Sequence, residues 1–250
     1  MDLGLLADLT ERDLATEGVC IGEGRFVVER MLSQGLEPLA LASVPGMADG
    51  LKELSEYPLP LRVLTQGEIG RIAGFPFHRG VLGAFRSPAL LRPAELGLEA
   101  GETVLVLDGI TDPVNLGTIL RSAAAFDVRA VLIGPRCGNP FSRRGIRASM
   151  AACFSLSLAD ASDIPSAVAV LKKSGLKLLG AELGDESIPL GEYSGGPGVA
   201  LVLGNEGHGI SQEWRAACDG FVMIPVSTRV DSLNVGVAAG ILLYQLAGVC

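Results

Sequence analysis

The residues of this chain that are best suited to chemistry lie within its last fifty positions. The apolar run 199–203 ends in a turn that holds three glycines, Gly204, Gly207 and Gly209, and one carboxylate, Glu206. Glycine has no side chain to keep a ligand away from the backbone. The turn therefore predicts a pocket formed mostly by main-chain groups, of the kind that holds a nucleoside-like cofactor.

Two further turns in the same stretch have a similar character. Ile224 and Pro225 end a second short apolar run, and the turn 232–234, with the sequence Ser-Leu-Asn, opens an apolar helix over 235–246. In open α/β sheets, ligands bind beyond the carboxyl ends of the strands. Because these turns follow strands or begin helices, we expect them to contribute to one pocket.

A polar island upstream supplies two more candidates, Asn115 and Arg121, which lie six positions apart. Asp112 and Pro113 are typical of a helix start, so the pattern predicts a helix over 114–126. Two helical positions six apart differ by about 240° around the axis, so these side chains do not share a face. If the helix begins at Asn115, that residue lies between strand and helix, and Arg121 projects from the second turn.

Several common chemistries are excluded by missing motifs. The glycine spacing does not fit the dinucleotide fingerprint, and neither a phosphate-binding P-loop nor a serine-hydrolase elbow occurs. The five cysteines are scattered without a CxxC pair, and His78 and His208 are the two histidines. This pattern excludes a metal site and favours reduced thiols in a cytoplasm. The acidic start lacks the basic segment of a signal peptide, and no apolar run reaches the ~18 residues of a membrane span.

The charge balance does not indicate a general nucleic-acid binder. The formal net charge is −8, although arginine far outnumbers lysine, and guanidinium is the better fork for phosphate. Any RNA contact must therefore come from a local patch. One candidate is the cluster Arg143, Arg144 and Arg147, of which the first and last share a face if the segment is helical; His78 and Arg79 form the other. Ordinary solvated surface is the alternative for both groups.

Two prolines, Pro88 and Pro93, mark a linker, and we place a domain boundary near residue 95. Residues 1–95 then form a small α/β domain. Residues 96–250 alternate strands and helices, which predicts a parallel sheet covered on both faces. The lone Trp214 is expected in the core, and the final helix, apolar almost all round, is expected to be buried, against a partner subunit or within the fold. The predicted strands are 39–42, 61–64, 81–85, 103–108, 130–133, 176–179, 199–203 and 221–224, and the predicted helices are 25–34, 114–126, 164–174, 211–218 and 235–246.

The order and spacing of three islands closely resemble the SpoU (TrmH-type) ribose methyltransferases of the SPOUT superfamily. The islands are N-x5-R at 115–121, L-G-N-E-G at 203–207, and I-P at 224–225 with S-L-N-V at 232–235. The resemblance covers roughly residues 103–247. Ile21–Gly24 and His78–Leu82 are similar to the substrate-binding domain that many of these enzymes carry, which itself resembles ribosomal proteins that bind kinked RNA.

The resemblance implies a fold, an activity and a set of site residues. It implies a C-terminal α/β domain with a parallel sheet and a deep trefoil knot, usually as a homodimer, which is a rare exception to unknotted chains. It also implies transfer of a methyl group from S-adenosylmethionine to a ribose 2′-hydroxyl in tRNA or rRNA. By motif, the polar active-site residues are Asn115, Arg121, Glu206, Ser232 and Asn234, and the cofactor-binding residues are Leu203, Gly204, Asn205, Gly209, Ile224, Leu233 and Asn234.

The sequence allows more than one role for several of these residues and more than one function for the protein. Glu206 is either a catalytic group or a structural carboxylate. Asn115 and Ser232 belong to the active site, cap a helix, or do both. The family's motif arginine is its proposed base. Because arginine stays protonated at ordinary pH, binding the adjacent phosphate and the developing alkoxide is the other role for Arg121. His208 is not expected to be catalytic. The competing functions are a non-catalytic RNA-binding or assembly factor that retains the knotted fold, and base methylation.

Overall fold

The structure is a computed structural model, and it describes residues 3–6, 14, 16–195 and 198–247. Much of the acidic start, on which the expectation of no signal peptide rests, lies outside those residues, as does Cys250. None of the helices in the described part of the chain has the length and apolar content that a membrane span requires.

The chain divides into two compact units, and the division corrects the predicted domains in two places. The first unit comprises residues 1–89 and 140–155, and the second comprises 90–139 and 156–250. The boundary thus lies before residue 95, because Leu91 pairs with Leu158 and Asp160 through two backbone hydrogen bonds of 2.9 Å. We predicted residues 96–250 as one continuous domain, yet 140–155 belong to the first unit, where Arg143 meets Glu23 at 2.8 Å.

The first unit is built on a four-stranded sheet of order β1-β4-β2-β3. Strand β4 pairs antiparallel with β1 and β2, while β2 and β3 are parallel. Strand β1 and the second helix were not predicted, because glycine interrupts the apolar pattern in both. A capping box of Thr65 and Glu68 starts that helix instead. The elements are β1 Val19–Glu23, α1 Arg25–Ser33, β2 Pro38–Ser43, β3 Leu61–Val63, α2 Gln66–Ala73, β4 Val81–Arg86 and α4 Arg143–Ser149.

The second unit is an α/β fold on a seven-stranded sheet of order β7-β6-β5-β10-β8-β11-β9 within the described residues. Every adjacent pair in this sheet is parallel, as predicted. The two strands that the sequence did not predict, β7 and β9, are the short edge strands. The elements are β5 Thr103–Leu107, α3 Pro113–Ala125, β6 Ala130–Ile133, β7 Ser157–Asp160, α5 Ile164–Lys173, β8 Lys177–Ala181, β9 Ser187–Pro189, β10 Val199–Leu203, α6 Gln212–Ala217, β11 Gly220–Met223 and α7 Val235–Leu246.

Helix α7 packs against α3 through small residues. A Cβ atom added to Gly236 would lie 3.0 Å from the Thr118 side chain, so the two helices approach closely at this point. The buried side of α7 carries Ala239, Leu242 and Leu243. The helix was predicted to be apolar almost all round and buried, with a partner subunit as one possible cover, and a stripe of large apolar side chains is exposed in the single chain: Val237, Ile241 and Tyr244.

Trp214 is fully buried in the core of the second unit, as predicted, and it is the one tryptophan of the chain. Its fluorescence therefore reports the unfolding of the second unit. Replacing the fully buried Leu105 of β5 with alanine is expected to lower the free energy of unfolding by about 2–5 kcal/mol, because the lost side chain leaves a cavity. Urea titration followed by tryptophan fluorescence measures this change.

The matched control is Ile188→Ala on edge strand β9, where the side chain is 45% exposed. This change is expected to cost less than about 1 kcal/mol, since much of the isoleucine already contacts water. Equal losses in the two variants would contradict the assignment of β5 to the interior of the sheet.

Candidate active site

The parallel pairing of β5 and β10 places two predicted islands side by side. Leu107 is in register with Leu203, so both strands end at the same level of the sheet. The pairing continues past the strand ends, where the Asp108 N–H donates to the Leu203 carbonyl at 2.8 Å. The turn after β5 and the glycine turn after β10 are therefore neighbours, as the rule about carboxyl ends of strands predicts.

The glycine turn closes on itself through two backbone hydrogen bonds. The Asn205 N–H donates to the Gly209 carbonyl at 3.0 Å, and the Gly209 N–H donates back to the Asn205 carbonyl at 2.9 Å. A Cβ atom on Gly204 would lie 2.3 Å from the Gly209 carbonyl carbon, and Gly209 itself has a φ of +67°. Glycine is thus required at position 204 by close backbone approach and favoured at 209 by the left-handed conformation.

Asn205 ties the glycine turn to the strand beside it. Its side-chain oxygen accepts from the N–H groups of Gly207, at 2.8 Å, and His208, at 3.1 Å. Its amide nitrogen donates to the Gly109 carbonyl at 2.8 Å. The side chain predicted to bind the cofactor therefore has a structural role, which sets the shape of the turn. The His208 side chain is exposed.

Three polar side chains from the three islands meet in one hydrogen-bonded trio. Asn115 Nδ2 donates to Glu206 Oε1, and Asn234 Nδ2 donates to Asn115 Oδ1 at 2.9 Å. The members are separated by 91 and 119 positions along the chain, so their meeting is a product of the fold. We call Asn115, Glu206 and Asn234 the polar trio.

Asn115 and Ser232, which were alternatives for helix caps, do not cap α3 and α7. Helix α3 begins at Pro113 rather than Asn115, and the Asp112 carboxylate accepts from the N–H groups of Val114 and Asn115 at 2.9 Å. The cap of α7 is Asn234, whose Oδ1 accepts from two N–H groups of the first turn, so the interpretation of Ser232 as the cap is wrong. The Asn115 side chain is thereby left to the polar trio.

Arg121 lies apart from the polar trio. It is exposed on α3, about 9 Å further along the helix axis than Asn115 at 1.5 Å per residue. Among the described residues, no hydrogen bond or ion pair joins it to Asn115, Glu206 or Asn234. Its guanidinium therefore faces solvent, in a position to meet an anionic group from outside the chain.

A cavity of ≈270 Å³ opens at the carboxyl ends of β8, β10 and β11, beside the start of α7. Asn234, which was predicted to bind the cofactor, is not among the lining residues; its side chain belongs to the polar trio instead. The lining includes eight of the predicted residues: Leu203, Gly204, Asn205, Glu206, Gly209, Ile224, Ser232 and Leu233. The sequence did not predict the others: Ala181, Glu182, Leu183, Val222, Met223, Val226, Val235, Ala238 and Leu242.

Glu182 is the polar lining residue that sequence reasoning missed. It follows β8, and its carboxylate bonds to Arg215, which also donates to Glu186 at 3.0 Å. Strand β8 was predicted to end at residue 179, two positions early, so Glu182 was not recognised as a residue just beyond a strand end. Site residues follow the carboxyl ends of strands, as for β10. The same rule identifies Glu182 once the end of β8 is placed at Ala181.

Cys137, near the same edge of the sheet, does not act as a nucleophile. Its Sγ donates to the Leu107 carbonyl at 3.2 Å, and burial raises the pKa of the thiol above its ordinary value. The thiolate is the nucleophilic form of cysteine. The thiol therefore stays protonated at neutral pH.

The predicted RNA-binding residues all lie in the first unit. Arg143 and Arg147 share a face of α4, as predicted, because both contact Glu23, and Arg79 contacts it too. Arg144 is exposed on the same helix, and the exposed His78 is hydrogen-bonded to Gln66 at 2.9 Å. The structure thus brings together three of the five predicted residues.

Known proteins similar to this chain agree in family and fold. An uncharacterized tRNA/rRNA methyltransferase of Mycobacterium bovis is 36% identical over 93% of this chain and 82% of its own length. The 23S rRNA (guanosine-2′-O-)-methyltransferase RlmB of Acinetobacter baylyi is 30% identical over 89% of this chain and 94% of its own. The AdoMet-bound rRNA methyltransferase of Sinorhizobium meliloti has the same fold, with a TM-score of 0.83 at 24% identity over 97% of this chain and 92% of that one.

The family model points the same way. The pattern of the SpoU rRNA Methylase family matches residues 102–244, a span that holds the polar trio, Arg121 and the whole lining of the cavity. That match covers more than half of the chain and includes each of the three islands recognised in the sequence. The chain therefore belongs to the SpoU rRNA Methylase family.

Proposed function

We propose that this protein methylates a ribose 2′-hydroxyl of rRNA or tRNA with S-adenosylmethionine as the methyl donor, in the cytoplasm. The observation that carries the proposal is the polar trio, which stands beside a cavity formed largely by backbone groups and apolar side chains. Membership of the SpoU family supports RNA as the substrate. The name of the Acinetobacter baylyi relative, a guanosine-2′-O-methyltransferase, supports the ribose as the acceptor.

The cavity suits the proposed cofactor in chemistry. Gly204, Ile224 and Leu233 line it, and we expect their main-chain groups to bind the adenine ring. The Sinorhizobium meliloti structure, which contains AdoMet, supports the same assignment. When bound, S-adenosylmethionine supplies an electrophilic methyl group.

In the proposed mechanism the chain contributes mainly position and charge. Methyl transfer needs the hydroxyl in line with the methyl donor, so correct placement supplies much of the rate. The polar trio fixes the start of α3, the glycine turn and the start of α7 relative to one another. Arg121 binds the phosphate next to the target ribose and stabilises the alkoxide that develops at the 2′-oxygen as the hydroxyl proton passes to water. A permanently charged guanidinium fits this role better than that of a base.

We also propose that the second unit contains a trefoil knot and forms a homodimer through α7. The return of α7 to α3 and β10, which come from earlier parts of the unit, is compatible with a knotted path. The exposed stripe of Val237, Ile241 and Tyr244 supports a dimer, since contiguous apolar surface on a helix marks an interaction face. The mixed four-stranded sheet of the first unit is compatible with its proposed likeness to ribosomal proteins that bind kinked RNA.

The first test concerns the backbone pocket. Gly204→Ala is expected to weaken the binding of S-adenosylmethionine at least about tenfold, because the new Cβ overlaps the Gly209 carbonyl and opens the turn. Isothermal titration calorimetry measures the affinity. The control is Gly207→Ala in the same turn, where a Cβ meets nothing closer than 3.4 Å, so its affinity should match that of the wild type. An unchanged affinity in Gly204→Ala would count against this pocket.

The second test concerns the reaction and Arg121. RNA from a strain that lacks the gene is incubated with methyl-labelled S-adenosylmethionine and then hydrolysed with alkali. Label is expected in alkali-resistant dinucleotides, because a 2′-O-methyl group blocks attack on the neighbouring phosphate. Arg121→Ala should lower the transfer rate by about 100-fold or more, while cofactor affinity stays within about twofold, since Arg121 acts on the RNA side. Arg92→Ala, at an exposed arginine of the same unit, is the control.

The other outcomes identify the competing functions. Label in the mononucleotides that alkaline hydrolysis releases would indicate base methylation. No label with the wild-type enzyme on any RNA would indicate a non-catalytic RNA-binding factor. Loss of cofactor binding in Arg121→Ala would contradict the proposed role of Arg121 as a ligand for phosphate and alkoxide.

The third test concerns the dimer. Ile241→Glu places a charge in the centre of the exposed stripe of α7, and burying an unpaired charge in an interface is costly. Sedimentation velocity is expected to show a dimer for the wild type and a monomer for the variant. Val63→Glu, at a side chain of the first unit that is 55% exposed, should remain dimeric. A monomeric wild type, or a dimeric Ile241→Glu variant, would overturn this assignment of the interface.

A further inference from the structure

Glu23, at the end of β1 in the first unit, is a buried carboxylate surrounded by arginines. Its side chain is 8% exposed. Arg143 donates to Glu23 Oε1 twice, from Nη2 at 2.8 Å and from Nε at 3.1 Å. Arg79 and Arg147 approach the other oxygen, Oε2, with Nη1 atoms at 3.6 and 3.9 Å. We call Glu23, Arg79, Arg143 and Arg147 the Glu23 cluster.

Within the described residues, the Glu23 cluster brings three guanidinium groups to one carboxylate. Arg143, which is 13% exposed, makes the hydrogen-bonded ion pair that a buried carboxylate needs. Arg79 and Arg147 are 44% and 49% exposed, and their distances to Oε2 are too long for hydrogen bonds. Their donors are therefore oriented by Glu23 and remain available to a second anion.

Two other exposed arginines of the first unit each pair with one carboxylate. Arg86 Nε lies 2.6 Å from Glu37. Arg25 Nε pairs with Glu29 at the same distance along one helix. In these pairs the hydrogen bond is made, unlike the contacts of Arg79 and Arg147 with Glu23.

The helix that carries two of these arginines is held firmly in place. Ser142 Oγ accepts from the Gly145 N–H at the start of α4, and Arg30 donates to the Met150 carbonyl at its end, at 3.0 Å. Met150 and Ala151 then adopt φ values of +53° and +62°, which are unfavourable for residues with a side chain. Such strain persists where the surroundings impose it, often at binding sites.

We propose that Arg79 and Arg147 form a clamp for a backbone phosphate of the RNA substrate, and that Glu23 is the residue that positions them. That the phosphate belongs to RNA rests on the proposed function. The guanidinium fork matches phosphate geometry, and one carboxylate draws two such forks to the same place. Contacts of this kind fix the register of a nucleic acid rather than read its sequence. The clamp therefore places the RNA, while the second unit carries out the chemistry.

The test compares Arg79→Ala and Arg147→Ala with Arg86→Ala, which removes the same charge from a hydrogen-bonded pair in the same unit. The probe is an unmodified transcript of 23S rRNA, and filter binding at several salt concentrations gives the affinity and its salt dependence. Each clamp variant is expected to weaken binding about tenfold and to reduce the slope of log K against log salt by about one. Arg86→Ala should change neither quantity. Equal affinities and equal salt slopes in all three variants would contradict the proposed clamp.

Glu23→Gln tests the positioning role separately. The change adds a net positive charge while it loosens the arrangement of the arginines. The ratio of the affinity for the transcript to that for polyuridylate is expected to fall at least about threefold, since general attraction rises and directed contact is lost. A patch that acts through charge alone would raise both affinities and leave the ratio unchanged, which would contradict the proposal. Thermal melting confirms that the variant is folded.

Two further measurements separate the clamp from its alternatives. Inorganic phosphate at millimolar concentration should not displace the transcript, because a single anion lacks the remaining RNA contacts; displacement would indicate a site for free phosphate and would contradict the proposal. The clamp variants should bind S-adenosylmethionine as the wild type does. If the wild type binds the transcript through the clamp but transfers no methyl group, the proposed function fails and the clamp stands. If transfer proceeds and the variants match Arg86→Ala, the clamp alone fails.

Discussion

The in-register parallel pairing of β5 and β10 is the constraint on which the rest of the second unit depends. It joins strands that are almost a hundred residues apart and ends them at the same level. Both strands are almost fully buried, and beyond their ends the hydrogen bonds from the Asp108 N–H to the Leu203 carbonyl and from Asn205 Nδ2 to the Gly109 carbonyl hold this register. Given this register, Asn205 reaches Gly109, and the glycine turn becomes one wall of the cavity.

The site divides its tasks between backbone and side chains. The cavity depends on glycines that allow close approach of the main chain, whereas the polar trio depends on two amides and one carboxylate that connect three loops. Asn234 has two tasks, because its oxygen caps α7 and its nitrogen bonds to Asn115. A change at Asn234 therefore alters a helix start and the trio together, which makes the site rigid but intolerant of substitution.

The local sequence pattern was sufficient to predict the central strands and helices but not the edge strands. Strands 130–133 and 199–203 and helix 235–246 were predicted to the residue, since their apolar runs are long and sharply bounded. Edge strands such as β9, with three residues, carry too little pattern to be recognised. The contact of Glu23 with Arg143 spans 120 positions, and no local spacing encodes a partner at that distance. The motif positions of the site were predicted, but the contacts among them required the fold.

The first unit is discontinuous, and this has a consequence for how the protein is made. Its last contribution, residues 140–155, follows β5, α3 and β6 in the chain. A ribosome therefore delivers much of the second unit before the first has all its parts. Until then, the Glu23 carboxylate lacks Arg143, the counter-ion that makes its burial tolerable. The two units are interleaved along the chain, so the nascent chain completes the first unit only after it has begun the second.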